Sequence, residues 1–418
     1  MEREKVTQSQ LPRAEAIDFL VFSHSADLYG AEQSLAEIVA EGVSRGYRLA
    51  VVLPREGPLA DILRGHGATV FFARLHAWMG PRQGLVFGGV RLLQTVTEVR
   101  ALRQLIRTLS PQFVVTNTAM LPGPAWAAAR QRVNHLWIVR ESLRSNTLLR
   151  SALPKDLIIR QIARRSAAVG AVSDFVAGQL VAATGAPRGL FRLYPVPRGL
   201  RNPSPDIDSG VAATPWAAND LKLLVIGGIT PEKGQHEAIE AVSLALKGGA
   251  SLRLTLVGKG QAKYVAALRK KIDKLGLSDR VRIHPWTDNP VKFYQASDFV
   301  IVATNNEAYG RTTAEALVAG TPVIAYGAGG TLEIVAAGGA IVTDEPTVAS
   351  LADALLLAGG MTSEERSLLR ADARRAGLRL LGRETQFSSL LGAATTILPT
   401  LRAAGGRDGI TKDYPAGG

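Results

Sequence analysis

Two glutamates eight positions apart have the residue type and spacing to bind a polar ligand. Glu307 follows the apolar segment 298–303, a predicted strand, and Glu315 lies in a short helix predicted to begin near Gly310. Carboxylates accept hydrogen bonds from sugar or ribose hydroxyls, and a helix N-terminus offers N–H groups that suit phosphate. A second predicted strand, 322–325, follows. Both carboxylates are therefore predicted at the carboxyl ends of parallel strands, where open α/β sheets bind ligands.

Glycine-containing turns could bring further backbone N–H groups close to a phosphate. The segment 227–234 follows a predicted strand and carries Lys233, which would supply a point charge. It is not a Walker A loop, because the Gly-x4-Gly-Lys-Ser/Thr spacing is absent. The segment 257–260 (Val-Gly-Lys-Gly) also follows a predicted strand, but neither turn alone distinguishes a ligand site from an ordinary turn. In the segment 329–334, Glu333 would complement the dipole of the helix that it begins.

The elements that must position these motifs are alternating strands and helices, which predict parallel, doubly wound sheets. A proline-rich segment, 194–216, interrupts the alternation, so we predict two similar α/β lobes. Residues 76–89 are predicted to be a loop and 90–109 a helix. The predicted divisions are a disordered tail at 1–15, a first Rossmann-like domain at 16–198, a linker at 199–218, a second Rossmann-like domain at 219–385, a C-terminal helix at 386–402 packing back on the first domain, and a disordered tail at 403–418.

Composition narrows the class of protein. The 418 residues are 46% hydrophobic and 20% charged, which predicts a soluble globular protein with ample core. Cysteine is absent, so disulfide scaffolds and thiolate zinc sites are excluded, and the six histidines lack metal-ligand spacing. The polar start is not a signal peptide, and no 18-residue apolar run occurs. We therefore expect a cytoplasmic protein that needs no metal.

Positive charge is concentrated in the first lobe. The net charge is +13, and residues 82–165 contain 14 Lys or Arg against three acidic residues. Such a surface could face anionic lipid or a phosphorylated acceptor, or it could simply be solvated. A nucleic-acid partner is not expected, because no recognition motif and no interleaving of aromatic and basic residues is present.

In this order and spacing, the motifs resemble the retaining nucleotide-sugar glycosyltransferases of the GT-B fold, in particular family 4. The segments EAYGRTTAEA, GTPVIA and GGTLEI carry the resemblance, and YGAE is similar to the family's glycine-rich first loop. The resemblance covers residues 17–400 and is strongest at 221–342. It implies an α/β protein of two Rossmann-like, doubly wound parallel-sheet domains facing a central cleft, with C-terminal helices. The first domain would take the acceptor and the second the nucleotide-sugar donor.

The resemblance also implies roles for single residues. Glu315 would hold the ribose hydroxyls, Glu307 would hold hydroxyls of the donor sugar, and Lys233 would neutralise the diphosphate. The two carboxylates would then bind rather than act as an acid/base pair. Backbone N–H groups of the segment 308–313 would bind sugar and phosphate, through Ala308, Tyr309, Gly310, Thr312 and Thr313. Gly228 and Gly258, in the two glycine turns, are further candidates for donor binding. Trp286 could flank the nucleobase or belong to the core or a lid, and Gly30 and His24 lie in a first-domain loop that could contact acceptor or phosphate.

Two departures from the family concern cations. The family usually has an arginine where this chain has Gly228, and we predict that Arg311 replaces its charge. The family often has a histidine facing the donor sugar where this chain has Arg140. A guanidinium could stabilise phosphate charge but cannot act as a base at neutral pH. Alternatively, Arg140 is a surface residue paired with Glu141.

The predicted function is retaining transfer of a sugar from a UDP- or GDP-sugar to a glycan or lipid-linked acceptor, in polysaccharide or glycolipid synthesis. No cofactor is expected, and the basic lobe could hold the protein peripherally at the cytoplasmic face of a membrane. Two alternatives stay open, a sugar-nucleotide epimerase of the same fold and a non-catalytic protein that binds a glycan or lipid surface. An NAD enzyme is not expected, because the Gly-x-Gly-x-x-Gly fingerprint is absent from the first strand-to-helix turn.

Overall fold

The computed structural model describes residues 17–80, 85–147, 149–197, 220–287 and 289–401, and at 85–93 the backbone alone. The predicted tails and the predicted linker 199–218 lie outside these ranges. Within them, no helix has the length and apolarity needed to cross a membrane.

The first domain is built on a sheet of seven parallel strands in the order β3-β2-β1-β5-β6-β8-β9, and β4 and β7 form a small antiparallel ribbon. Its elements in chain order are β1 Phe19–Phe22, α1 Gly30–Ser44, β2 Leu49–Leu53, α2 Pro58–Gly65, β3 Thr69–Phe72, β4 Met79–Gly80, α3 Leu85–Leu109, β5 Phe113–Thr116, α4 Gly123–Gln131, β6 Asn134–Val139, β7 Arg150–Ser151, α5 Lys155–Arg165, β8 Ala168–Ala171, α6 Asp174–Thr184 and β9 Leu190–Arg192.

The second domain has six parallel strands in the order β12-β11-β10-β13-β14-β15. Its elements are β10 Leu221–Ile226, α7 Gln235–Lys247, β11 Leu252–Val257, α8 Ala262–Lys274, β12 Val281–His284, α9 Pro290–Gln295, β13 Phe299–Val302, α10 Arg311–Val318, β14 Val323–Tyr326, α11 Thr331–Val335, β15 Ala340–Thr343, α12 Val348–Gly360 and α13 Ser363–Leu381, followed by α14 Gln386–Ile397.

Both sheets are covered on both faces, which explains why strands such as β1, β2 and β13 are apolar throughout. Along β1, Phe19 and Val21 enter one apolar cluster, whereas Leu20 and Phe22 enter another. The predicted fold class, two parallel doubly wound domains, is confirmed.

Two local predictions in the first domain were wrong or incomplete. The predicted loop at 76–89 contains β4, and the helix predicted to begin at residue 90 begins at Leu85. Gly88 and Gly89 had favoured a loop, but a helix of 25 residues can absorb a propensity cost of about 1 kcal/mol for each glycine. The strand β9 was missed because three residues are too short to show a period.

The C-terminal helix α14 packs on α1 of the first domain. Phe387 is fully buried, with its ring centroid 6.0 Å from that of Phe19 and 5.3 Å from that of Tyr47. Gly42 makes room for it, since a Cβ atom there would lie 2.6 Å from the Phe387 ring. The chain therefore crosses to the second domain and returns.

We predict that Phe387→Ala lowers the stability of the first domain by about 3–5 kcal/mol, the usual result of removing a buried aromatic ring. Thermal unfolding measures this effect. Leu378→Ala on α13 is the control, because Leu378 is 63% exposed and its truncation should change little. Equal unfolding midpoints for the two variants would contradict a stabilising role for α14.

A buried carboxyl group on α3 makes stability depend on pH. Glu98 is 6% exposed, and its Oε2 accepts a hydrogen bond of 2.8 Å from the backbone N–H of His76. Burial raises the pKa of Glu98 to about 8. Between its ordinary pKa and about 8, the folded protein keeps a proton that the unfolded chain has lost. Stability should therefore fall as pH rises through this window.

Glu98→Gln should flatten this pH dependence, because glutamine keeps a hydrogen-bond acceptor for His76 and does not titrate. Unfolding midpoints at pH 5 and pH 8.5 measure the effect. The exposed Glu364 provides a control, since Glu364→Gln should leave the wild-type slope unchanged. A slope unchanged in Glu98→Gln would contradict the assignment.

Candidate active site

A cleft of about 710 Å³ lies between the two domains, at the carboxyl ends of both sheets. Its first-domain wall comes from the start of α1 and from Arg140, which follows β6. Its second-domain wall comes from the turn after β10, the segment 307–312 and Glu315. Most of the predicted site residues line it, namely Glu307, Glu315, Lys233, Arg140, Arg311, Gly228, Ala308, Tyr309, Gly310, Thr312, Trp286 and Gly30.

Three predicted site residues lie outside this lining. Thr313 is fully buried, and Gly258 packs so closely on the carbonyl oxygen of Gly227 that a Cβ atom there would lie 1.8 Å from it. His24 has its Nδ1 atom 3.9 Å from the buried carboxylate of Glu32. Gly258 instead borders a neighbouring surface pocket that shares Trp286 with the cleft.

The loop that carries Glu307 is supported by a glycine pair further along the chain. The N–H of Gly330 donates to the carbonyl of Glu307 at 2.8 Å, and a Cβ atom at Gly330 would lie 2.4 Å from the carbonyl oxygen of Ala308. Gly310, at φ 99°, then turns the chain into α10. The glycines of 329–334 therefore allow two backbone segments to touch, which fixes where Glu307 lies.

Lys233 and Glu307 form an ion pair across the second-domain wall. Lys233 ends a short 3-10 turn, and Gly234 after it packs against the carbonyl of Ala303. The ammonium is 41% exposed and the carboxylate 17%, so the pair is open to the cleft. A ligand that needs either charge can therefore reach it.

Glu315 is held by two donors of its own domain. The Tyr294 hydroxyl donates to Oε2 at 2.8 Å and the Arg311 Nε to Oε1 at 2.9 Å. Burial and the neighbouring carboxylate raise the pKa of Tyr294 well above its ordinary value, so the phenol keeps its proton. These contacts fix the orientation of the Glu315 carboxylate at the edge of the cleft.

Arg311 joins the two domains. Besides Glu315, its guanidinium donates to Ser34 Oγ at 3.0 Å and to Glu37 Oε1 at 2.7 Å, both on α1. Burial alone would lower the pKa of Arg311, but the carboxylates of Glu37 and Glu315 hold it above its ordinary value. The side chain lines the cleft, yet these three bonds turn its charge towards carboxylates. That Arg311 replaces the missing diphosphate cation stays a prediction.

Arg140 is a buried cation on the opposite wall. It is 9% exposed, its Nε donates to Asn117 Oδ1 at 2.8 Å, and its Nη1 donates to Gln386 Oε1 of α14 at 3.1 Å. Its Nη2 has no hydrogen-bond partner among the described residues. Burial lowers the pKa of Arg140 to about 10, so it stays charged at neutral pH.

The alternative for Arg140, a surface residue paired with Glu141, does not match this geometry. The Glu141 carboxylate accepts from the Thr118 hydroxyl and from the backbone N–H groups of Ala119 and Arg140, at 2.8 and 3.1 Å for the two N–H groups. The Arg140 guanidinium is buried and hydrogen-bonded elsewhere.

Sequence reasoning missed the residues that hold the two arginines, namely Ser34, Glu37, Asn117 and Gln386. None lies in a glycine motif, and their contacts with the two arginines join positions up to 277 residues apart. The amphipathic pattern of α1 could have placed Ser34 and Glu37 on one face, but not their partner.

Glu333 lies in the first turn of its own helix, as expected, and it also contacts the first domain. Its carboxylate accepts from the backbone N–H groups of Asp174, at 2.8 Å, and Phe175 at the N-terminus of α6 in the first domain. Beside it, the Ser173 hydroxyl donates to the carbonyl of Ala308 at 2.5 Å. These contacts and the Arg311 bonds both join the domains around the cleft.

Comparison with known proteins agrees with this architecture. Residues 208–374 match the model of the glycosyl transferases group 1, and residues 29–197 match that of the glycosyl transferase 4-like domain. The second half of the chain is therefore similar to the group 1 glycosyl transferases, and the first half to the glycosyl transferase 4-like domain. Among the described residues, no cluster of three or more His, Asp or Glu is arranged to hold a metal ion.

Curated relatives match parts of this chain. The D-inositol 3-phosphate glycosyltransferase of Thermomonospora curvata is 34% identical over 118 residues, 26% of this chain and 27% of that protein. The enzyme of the same name from Streptomyces coelicolor is 26% identical over 66% of this chain and 62% of its own. The 2-deoxystreptamine glucosyltransferase of Streptomyces kanamyceticus is 29% identical over 33% of each chain. The chain spans about a quarter to a half of the length of the first curated relatives.

Solved structures share the fold over almost the whole molecule. Anabaena HepE in complex with UDP aligns with a TM-score of 0.70 at 21% identity, over 91% of this chain and 99% of that one. WaaG, a glycosyltransferase involved in lipopolysaccharide biosynthesis, aligns with a TM-score of 0.64 at 17% identity, over 91% and 99%. At such identities the likeness establishes the GT-B fold, as predicted.

Proposed function

We propose that this chain is a retaining glycosyltransferase that moves a sugar from a nucleotide-diphosphate sugar to a glycan or lipid-linked acceptor. The observation that carries the proposal is one cleft between two parallel sheets, in which Glu307, Glu315, Lys233 and the start of α10 come together. The two carboxylates can accept hydrogen bonds from sugar and ribose hydroxyls. The cation and the N–H groups of the helix N-terminus can bind a diphosphate.

The second-domain wall would take the donor. Glu315, oriented by Tyr294 and Arg311, would accept from the ribose hydroxyls, and Trp286, which is 42% exposed, would flank the base. Structures of HepE in complex with UDP and with UDP-glucose support a uridine diphosphate sugar as the donor. A GDP-sugar is the alternative donor.

The Lys233–Glu307 pair would exchange partners when the donor binds. Lys233 would turn to the diphosphate, where negative charge develops as the sugar leaves, and Glu307 would be released to hold sugar hydroxyls. The acceptor would attack from the face that the diphosphate leaves, which retains the anomeric configuration. This route needs no protein nucleophile, metal or cofactor.

The first-domain wall would take the acceptor. The relatives from Thermomonospora curvata and Streptomyces coelicolor act, by name, on D-inositol 3-phosphate, which supports a small phosphorylated polyol as one class of acceptor. WaaG supports a lipid-linked glycan. The excess of Lys and Arg at 82–165 favours an acceptor at an anionic membrane surface, in polysaccharide or glycolipid synthesis.

A binding screen followed by a transfer assay tests this proposal. Thermal shift with UDP, GDP and their sugars should show a stabilised protein for one donor, since a ligand that binds only the folded state raises its stability. That donor is then incubated alone and with candidate acceptors. Product of unchanged configuration supports retaining transfer, whereas an isomerised donor, formed without acceptor, indicates an epimerase. Binding without turnover across these acceptors contradicts the proposal.

We expect Lys233→Ala to lower kcat by about 10²–10³-fold, the usual loss when a group that stabilises developing charge is removed. Steady-state kinetics with the donor measure it. Lys274→Ala is the matched control, because Lys274 is an exposed lysine on α8 outside the cleft. A kcat within twofold of the wild-type value for Lys233→Ala would contradict the role of Lys233.

Arg311→Ala should raise the donor KM or lower kcat, because Glu315 loses one of the two donors that orient it. Tyr294→Phe removes the other donor and should act in the same direction. Donor titrations with both variants distinguish a loss of binding from a loss of turnover. Unchanged kinetics in Arg311→Ala would contradict a role for this residue.

A further inference from the structure

One chain of hydrogen bonds connects the two walls of the cleft. It begins at Glu315 in the second domain and passes through Arg311 to Glu37 on α1. Glu37 Oε2 accepts from Gln386 Nε2 on α14 at 3.3 Å, and Gln386 Oε1 accepts from Arg140 Nη1 at 3.1 Å. Glu37 is therefore the point at which contacts from both arginines meet.

The negative charge of Glu37 also stabilises the two arginines that this chain of hydrogen bonds connects. Arg311 disfavours the charged form of Arg140, whereas Glu37 favours the charged forms of both arginines. Glu141 and Glu32 also favour the charge on Arg140, but neither forms a hydrogen bond with its guanidinium among the described contacts. Without the Glu37 carboxylate, Arg311 would lose its charged partner in the first domain.

We propose that Glu37 is a positioning residue that sets the orientation of Arg311 directly and of Arg140 through Gln386. The inference rests on the proposed function, since Arg311 orients the donor-binding carboxylate of Glu315 there and Arg140 lines the opposite wall of the same cleft. Glu37 couples the donor-binding carboxylate on one wall to the buried cation on the other.

The coupling has a specific consequence. Base and ribose contacts lie on the second-domain wall, and Tyr294 of that domain holds Glu315 without any contact to Glu37 among the described residues, so nucleotide binding should depend little on Glu37. Sugar transfer requires that the two walls hold donor and acceptor in the correct relative position. A misplacement of about 1 Å at a reacting group can lower the rate by about 10²-fold. Loss of Glu37 should therefore appear in kcat and not in the affinity for the nucleoside diphosphate.

The test compares Glu37→Gln with Glu41→Gln. Glu41 lies one turn further along α1 and also contacts α14, through Thr385 at 2.7 Å and Ser388, but it touches neither Arg140 nor Arg311 among the described contacts. We expect Glu37→Gln to lower kcat for the donor found in the binding screen by about 10–100-fold with a UDP Kd within about threefold of wild type. Glu41→Gln should leave kcat and Kd within about threefold.

A spectroscopic measurement tests the inference without turnover. In protein labelled with ¹⁵N-arginine, the Nε–H resonances of Arg140 and Arg311 are assigned with the Arg140→Lys and Arg311→Lys variants. Both resonances should shift or broaden in Glu37→Gln and stay in place in Glu41→Gln. Gln386→Met removes the acceptor of Arg140 and one donor to Glu37 but leaves the Arg311–Glu37 bond in place, so it should disturb the Arg140 resonance more than that of Arg311. It replaces Glu37→Gln if that variant does not fold.

Several results would overturn the inference. Equal kcat losses in the two glutamate variants would assign the effect to helix packing. Parallel losses of kcat and UDP affinity in Glu37→Gln would make Glu37 part of donor binding. Unmoved arginine resonances would remove the positioning role. If the wild-type protein turns over no nucleotide sugar, the proposed function fails, and the resonances still decide the role of Glu37.

Discussion

A guanidinium removed from water must find hydrogen-bond acceptors and compensating charge, and this requirement governs the cleft. The energetic cost of an unpaired buried charge is several kcal/mol. Arg311 meets the requirement with two carboxylates and a hydroxyl, drawn from both domains. Arg140 meets it with two side-chain amide oxygens and leaves Nη2 without a partner among the described residues. These hydrogen bonds therefore depend on the positions of three helices. Arg311 lies on α10, α1 supplies Ser34 and Glu37, and α14 supplies Gln386.

The same requirement shapes how a ligand can enter. Lys233 with Glu307, and Arg311 with Glu315 and Glu37, already form ion pairs in the cleft. A ligand with both hydroxyls and phosphate can exchange these pairs without leaving a buried charge alone, because it brings a donor for the carboxylate and an acceptor for the cation. A purely anionic ligand would take Lys233 from Glu307 and leave the Glu307 carboxylate without a cation or a hydrogen-bond donor. This favours a ligand that carries sugar and phosphate together.

The parts that sequence reasoning predicted are those encoded by local pattern. Apolar strands separated by helices gave the parallel sheets, and glycines next to strand ends marked the turn at 227–234 and the support at 329–334. The contacts of Glu37 and Gln386 could not be predicted, because they join α1 to a helix about 350 residues later. The second partner of Glu333 was missed for a related reason. Its place in the first turn of its own helix follows from local pattern, whereas its contact with the N-terminus of α6 depends on how the domains meet.

Polar contacts around the cleft join the domains, beside an apolar cluster that contains buried residues of both, such as Phe19 and Tyr309. Each polar contact replaces hydrogen bonds to water with a hydrogen bond within the protein. The three contacts are Glu333 with the start of α6, Ser173 with Ala308, and Arg311 with Glu37. The net gain from each is about 1–3 kcal/mol, the higher values applying to charged groups. A ligand can shift the domains only by the difference in its affinity for the two arrangements. Contacts of this strength lie within the range that a ligand touching both walls can outweigh. If the proposed function holds, the second-domain wall would bind the nucleotide by itself, whereas the position of that wall relative to Arg140 depends on the Arg311–Glu37 bridge.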